Sequence, residues 1–136
     1  MGDGIVIHAS VLADMIAHAR QEAPRECCGL LIGTPGSVVR SFRAKNLAPA
    51  ATRYFIDPHD HFKALRLARA EGRQVIGAYH SHPASEPVPS ATDIAEAVSG
   101  SEFVYMIVSL VKEEVRAYRI NGGTYESLPV NSSFGT

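Results

Sequence analysis

The chain has 136 residues, 46% of them hydrophobic and 20% charged, and its 13 Lys+Arg nearly balance 14 Asp+Glu. At that length one core can bury about two-thirds of the unfolded surface, which excludes intrinsic disorder, and the even charge excludes the basic footprint of a nucleic-acid binder. No run approaches the ~20 apolar residues that span a bilayer.

Ile5 to Ile7 reads as a short strand, and Ser10 as the cap of a helix over about residues 10–22, with Val11, Leu12, Met15, Ile16 and Ala19 at helical spacing. Pro24 limits that helix. Cys27 to Ile32 is an apolar strand, Thr34 to Ser37 a turn, and Val38 to Lys45 the returning strand of a hairpin. Tyr54 to Ile56 reads as a further strand. Asp57 and Pro58 suit the cap and first position of a helix to about Glu71, which Gly72 ends. Val75 to Tyr79 is a buried strand, and the segment from His82 to Pro89 is too rich in proline for regular structure. A short helix from about Ala91 to Val98 precedes three strands, Phe103 to Leu110, Val115 to Ile120 and Tyr125 to Pro129.

These elements predict one domain over residues 1–130, of α/β (α+β) class, with a mixed, mainly antiparallel sheet flanked by helices. Residues 131–136 read as a disordered tail. Cys27 and Cys28 are adjacent and ill placed to bond each other, so they read as packed thiols in a reducing compartment. With no leader pattern in Met-Gly-Asp-Gly, the expected location is the cytoplasm.

The unusual chemistry lies at His80 and His82. Residues two apart on a strand share a face, so both imidazoles can address one ion while Ser81 points away. Asp93 is a candidate third ligand, because Pro83, Pro87 and Pro89 can fold the chain back over the strand end. Two His and one carboxylate leave a coordination position open, as catalytic zinc requires and structural zinc does not.

Glu26 followed by Cys-Cys-Gly-Leu-Leu-Ile-Gly, then His80-Ser-His82-Pro83, Ser90 and Asp93, resembles the JAMM motif of the JAB/MPN+ zinc metalloproteases. The resemblance runs from the first strand to about Ile120 and is closest to the compact prokaryotic members. It implies one zinc per chain held by His80, His82 and Asp93. It also implies Glu26 as the acid/base carboxylate and Ser90 as a hydroxyl that helps polarise the scissile carbonyl. The implied activity is hydrolysis of a peptide or isopeptide bond near the C-terminus of a ubiquitin-like or sulfur-carrier protein, or of a peptide, through zinc-activated water.

Other readings remain open. Ser90-Ala-Thr-Asp93 also fits a helix capping box. His59 and His61 form a second HxH, but on a helix they diverge by about 200°. His8 and His18 have no convergent partners in the sequence. A noncatalytic MPN scaffold and a zinc hydrolase of a small-molecule amide are the alternatives, although the deaminase pattern HxE with PCxxC is absent. Exposed apolar helix faces leave a homodimer open; neither nucleic acid nor membrane is an expected partner.

Overall fold

The structure is a computed structural model that describes residues 4–48, 50–97 and 102–133. Its elements run β1 (Ile5–His8), α1 (Ala9–Glu22), β2 (Cys28–Thr34), β3 (Ser37–Ala44), α2 (Pro58–Ala70), β4 (Gln74–His82), α3 (Ala91–Glu96), β5 (Val104–Ser109), β6 (Glu114–Asn121), β7 (Thr124–Leu128) and β8 (Val130–Ser133). Among the described residues one sheet contains all eight strands, in the order β7-β6-β5-β4-β2-β3-β1-β8. Pairing is antiparallel for β2 with β3 and β4, and for β6 with β5 and β7; it is parallel for β4 with β5 and for β1 with β3 and β8. This is the mixed α+β domain expected.

Helices cover both faces. Val11, Met15 and Ala19 of α1, four residues apart, pack with Ile5, Ile7, Leu31, Val38, Tyr79, Met106 and Val108. On the other face Ala64 and Ala68 of α2 meet Leu30, Ile32 and Ala78, while Ile94 of α3 lies against Tyr105, Ile107 and Tyr118. Every residue of β5 is therefore buried, as a strand covered on both sides must be. Gly29 of β2 is required by this packing: a Cβ there would lie 2.3 Å from the ring of Tyr79. Among the described residues no helix is long and apolar enough to cross a membrane.

Asp57 caps α2 by accepting from the His59 N–H, with Pro58 in the first turn, and Gly72 follows at φ 70°, as the sequence predicts. Three expectations are corrected. The cap of α1 falls on His8 and uses no side chain, because β1 runs directly into the helix and Ser10 already lies in its first turn. Tyr54 to Ile56 forms no strand; Ile56 makes one isolated bridge to Asn46, since the Phe55 N–H goes to the Asn46 side chain instead of a ladder. Residues 131–133 are not a frayed tail but belong to β8, which pairs with β1 and covers its edge. Residues 134–136, and Val98 at the expected end of the third helix, lie outside the described residues.

The two edges of the sheet belong to β7 and β8, yet only Pro129 separates them in sequence. The sheet is thus curled until its edges meet at a corner. Proline suits that corner because it has no N–H to leave unpaired, and its carbonyl accepts from Ile5 N at 2.7 Å.

Candidate metal centre

Strand β4 carries the first two donors. Its residues alternate between faces: Tyr79 and Ser81 turn toward α1, whereas Ala78, His80 and His82 share the α2 side. His82 is the last residue of the strand, so the pair stands where the sheet opens. The register places His80 opposite Cys28 of β2 and Ile107 of β5, and the ring is fully enclosed.

The proline-rich segment returns the third donor. Three successive carbonyls anchor it: Ser85 O accepts from Ser109 Oγ at 2.7 Å, Glu86 O from His82 Nδ1 at 2.8 Å, and Pro87 O from Tyr118 Oη at 2.5 Å. Ser90 then caps α3, its Oγ accepting from Asp93 N at 3.0 Å while Asp93 Oδ2 accepts from Ser90 N at 2.9 Å. The capping box read from the sequence is present, and it aims the same carboxylate oxygen at the histidines.

Asp93 Oδ2 lies 3.1 Å from Nε2 of both His80 and His82, and the two Nε2 atoms are 3.2 Å apart. Among the described residues this is the only group of donor side chains arranged to share an ion. Its edges suit a tetrahedral zinc set, whose ligand atoms at 2.0–2.1 Å from the metal stand roughly 3.3 Å from each other. The protonation pattern also fits. A carbonyl can only accept, so His82 Nδ1 carries a proton toward Glu86 O, and Nε2 is the nitrogen that would face a metal.

Burial pushes His80 below the ordinary imidazole range, against the opposing pull of Asp93. Burial alone would raise Asp93, but the hydrogen bonds from His80 and His82 and from Ser90 N–H hold it far below the usual carboxylate range. For His82 the burial penalty is outweighed by Asp93 and the Glu86 carbonyl. Asp93 is thus ionised, as a ligand to a divalent metal must be, and a metal bound among the three atoms would take the Nε2 lone pairs of both histidines in place of protons.

Glu26 is brought beside this cluster by pairing rather than by sequence proximity. Cys27 N–H donates to Ser81 Oγ at 2.8 Å and Ser81 N–H to Cys27 O at 3.1 Å, which fastens the start of β2 to the end of β4. The Glu26 side chain is buried, and its Oε1 has no hydrogen-bond partner among the described residues. Burial raises its pKa to about 7, with His82 opposing and Asp93 adding to the rise. A buried carboxyl with an unused oxygen next to a metal-type donor set is a candidate acid/base.

Residues 8–121 match the family described as prokaryotic homologs of the JAB domain. The chain belongs to this JAB-domain family. It is 35% identical over 132 residues to a CysO-cysteine peptidase of Mycobacterium tuberculosis, covering 93% of this chain and 90% of that one. It is 37% identical over 102 residues to a desampylase of Haloferax volcanii, covering 70% and 73% of the two chains. A solution structure of a Desulfitobacterium hafniense protein superposes with a TM-score of 0.88 at 29% identity, covering 96% of this chain and 94% of that chain.

Other features of this JAB domain were not legible in the sequence. Tyr54 stacks on the His80 ring, centroids 4.3 Å apart and planes 17° from parallel. The Tyr54 ring also lines a cavity of about 700 Å³ with Leu47, Phe55, Phe103 and Tyr105, and Arg53 and Glu96 form an ion pair along its wall. Residues 46–56 are mostly apolar and carry no chemical motif, so nothing local marked Tyr54 as a neighbour of the donors.

The rival histidines do not converge. His59 and His61 are exposed on α2, and Asp57 and Asp60 are engaged by the N–H groups of His59 and Lys45. His18 Nδ1 instead meets Tyr79 Oη at 2.8 Å beneath α1. Cys27 and Cys28 are buried free thiols, pushed up by burial to about 11 and about 12, and are inert packing groups.

Proposed function

We propose that this JAB-domain protein is a zinc-dependent peptidase that hydrolyses the peptide or isopeptide bond at the C-terminal tail of a ubiquitin-like or sulfur-carrier protein. The observation that carries this reading is the convergence of His80, His82 and Asp93 beside the unpartnered carboxyl of Glu26. The names of the mycobacterial and haloarchaeal relatives support the substrate class.

His80 Nε2, His82 Nε2 and Asp93 Oδ2 would hold one zinc. Bound there, zinc supplies Lewis acidity that polarises an amide carbonyl and makes water acidic near neutral pH. Glu26 takes the proton as the water oxygen adds to the carbonyl carbon. It returns that proton to the leaving nitrogen as the C–N bond breaks. Burial of the Glu26 carboxyl disfavours its charged form and so helps it accept the proton it must later return. Ser90 Oγ retains a hydroxyl proton while accepting from Asp93 N, and can donate it to the developing oxyanion. The cavity walled by Leu47, Tyr54 and Phe55 receives the extended tail. The near-neutral charge of the chain accords with a protein rather than a nucleic-acid substrate, and its buried free thiols accord with the cytoplasm.

The test is cleavage of a carrier-protein tail fused to a reporter peptide, run with zinc-loaded wild type and Glu26→Gln, together with metal analysis of both. One zinc per chain in each, with turnover in Glu26→Gln cut to a small residual rate, is the expected result. Unchanged turnover would remove Glu26 from the chemistry. A wild type that takes up no added zinc would favour a noncatalytic scaffold, and a zinc-loaded chain that cleaves only small-molecule amides would move the substrate class.

A further inference from the structure

We infer that Asn46 is a positioning residue for this reaction, fixing the main chain of Glu26 and the backbone flanking Tyr54 in one frame. The inference rests on Glu26 being the acid/base. Asn46 lies in neither site motif, yet its side chain is fully used. Nδ2 donates to Glu26 O and to Arg53 O, both at 2.9 Å. Oδ1 accepts from Ala48 N and from Phe55 N, both at 2.9 Å. Two donors to two carbonyls and two acceptances from two N–H groups exhaust what an Asn can do, and only one orientation of the amide satisfies all four.

The partners give the clip its role. Glu26 N–H donates to Ala51 O at 3.3 Å, so both main-chain polar groups of Glu26 end on residues 46–51. Tyr54 stands between Arg53 and Phe55, whose backbone groups are the other two ends of the clip, and its ring stacks on His80. The segment is closed at its base by Leu47 N to Phe55 O at 2.8 Å and Asp57 N to Lys45 O at 3.0 Å. One side chain therefore sets the acid/base and the ring behind a metal donor to a common reference. The same residues wall the cavity beside the site, through Leu47, Tyr54 and Phe55.

The polar atoms required are specific. Asp at position 46 keeps the two acceptances but loses both donations and turns a carboxylate oxygen toward the carbonyls of Glu26 and Arg53. Ala removes all four bonds.

The experiment compares wild type, Asn46→Asp, Glu26→Gln and the double variant, each zinc-loaded, on the same carrier-tail fusion. It adds zinc stoichiometry and amide exchange of the metal-free chains. Asn46→Asp should keep one zinc and a cooperative unfolding transition, and should speed amide exchange over residues 47–56 but not in α1. Its kcat should fall by about 10- to 100-fold, the scale set by a displaced reacting group, with KM within about threefold. In the Glu26→Gln background the same substitution should add no further loss of kcat, because the group it positions has been removed. A structural role alone would lower stability and leave kcat in place. Wild-type kcat in Asn46→Asp, with Glu26→Gln reduced to a residual rate, overturns the inference alone, as do losses that multiply in the double variant. Full turnover in Glu26→Gln overturns the acid/base reading and the inference with it.

Discussion

Ser81 and Cys27 hydrogen-bond each other in both directions, Cys27 N to Ser81 Oγ at 2.8 Å and Ser81 N to Cys27 O at 3.1 Å. The residue between the two histidines thus has a task of its own: it ties the strand that bears them to the neighbour of Glu26. Ser81→Ala leaves the buried Cys27 N–H without a partner, a loss of about 1–3 kcal/mol by the usual cost of an orphaned donor. The urea midpoint should fall accordingly, and turnover should drop because Glu26 adjoins the loosened residue. A midpoint equal to wild type would show that the pair contributes nothing.

Metal binding should be a stability event as well as a catalytic one. The three donors are already assembled, so zinc held by them would favour the folded chain over the unfolded one and, at 100-fold over Kd, would add about 2.7 kcal/mol. Chelator-treated wild type should therefore melt lower and recover with added zinc. Asp93→Ala and His82→Ala should lose that recovery. An equal zinc-dependent rise in Tm for wild type and His82→Ala would place the metal elsewhere.

What the sequence revealed and what it hid divide along the range of the interactions. The HxH pair, the apolar run before it and the caps at Asp57 and Ser90 are signals contained in a few residues, and they reappear in β4, α2 and α3. Glu26 carries no local mark; only the resemblance pointed to it, because its place depends on the register that sets Cys28 opposite His80. Residues 46–56 misled because a side chain, Asn46, takes the backbone bond that a strand would have used. Val130-Asn-Ser-Ser133 has no apolar alternation, and it becomes β8 because β1 offers unpaired backbone to it.

Ser90 has two proposed duties that can be separated. As the cap of α3 it accepts from Asp93 N, and Ala in its place should cost about 1 kcal/mol, the common value for a lost N-cap. Asn is an equally good cap, so Ser90→Asn should restore stability and the aim of Asp93, measured as zinc per chain. It lacks the hydroxyl at that position, so turnover in Ser90→Asn should stay at least about tenfold below wild type if the hydroxyl supports the oxyanion. Wild-type turnover in Ser90→Asn would leave capping as the whole of its role.

His18 makes the stability of the domain depend on pH from the face of the sheet opposite the donors. It is buried under α1 with Nδ1 on Tyr79 Oη, and burial lowers its pKa below the ordinary 6.5; Arg43 adds to the fall, and Glu22 and Asp14 oppose it. Above that value the imidazole is neutral in both states and the contribution is intact. Below it the unfolded chain takes up a proton that the folded chain refuses until its own lower pKa is reached. Stability from this group is thus lost as pH falls from about 6.5, at up to about 1.4 kcal/mol per pH unit. Zinc-loaded wild type should show a lower urea midpoint at about pH 5.5 than at about pH 7.5, and His18→Gln, which cannot titrate, should show a smaller difference between the same two conditions. An undiminished difference in His18→Gln would assign the acid sensitivity to another group.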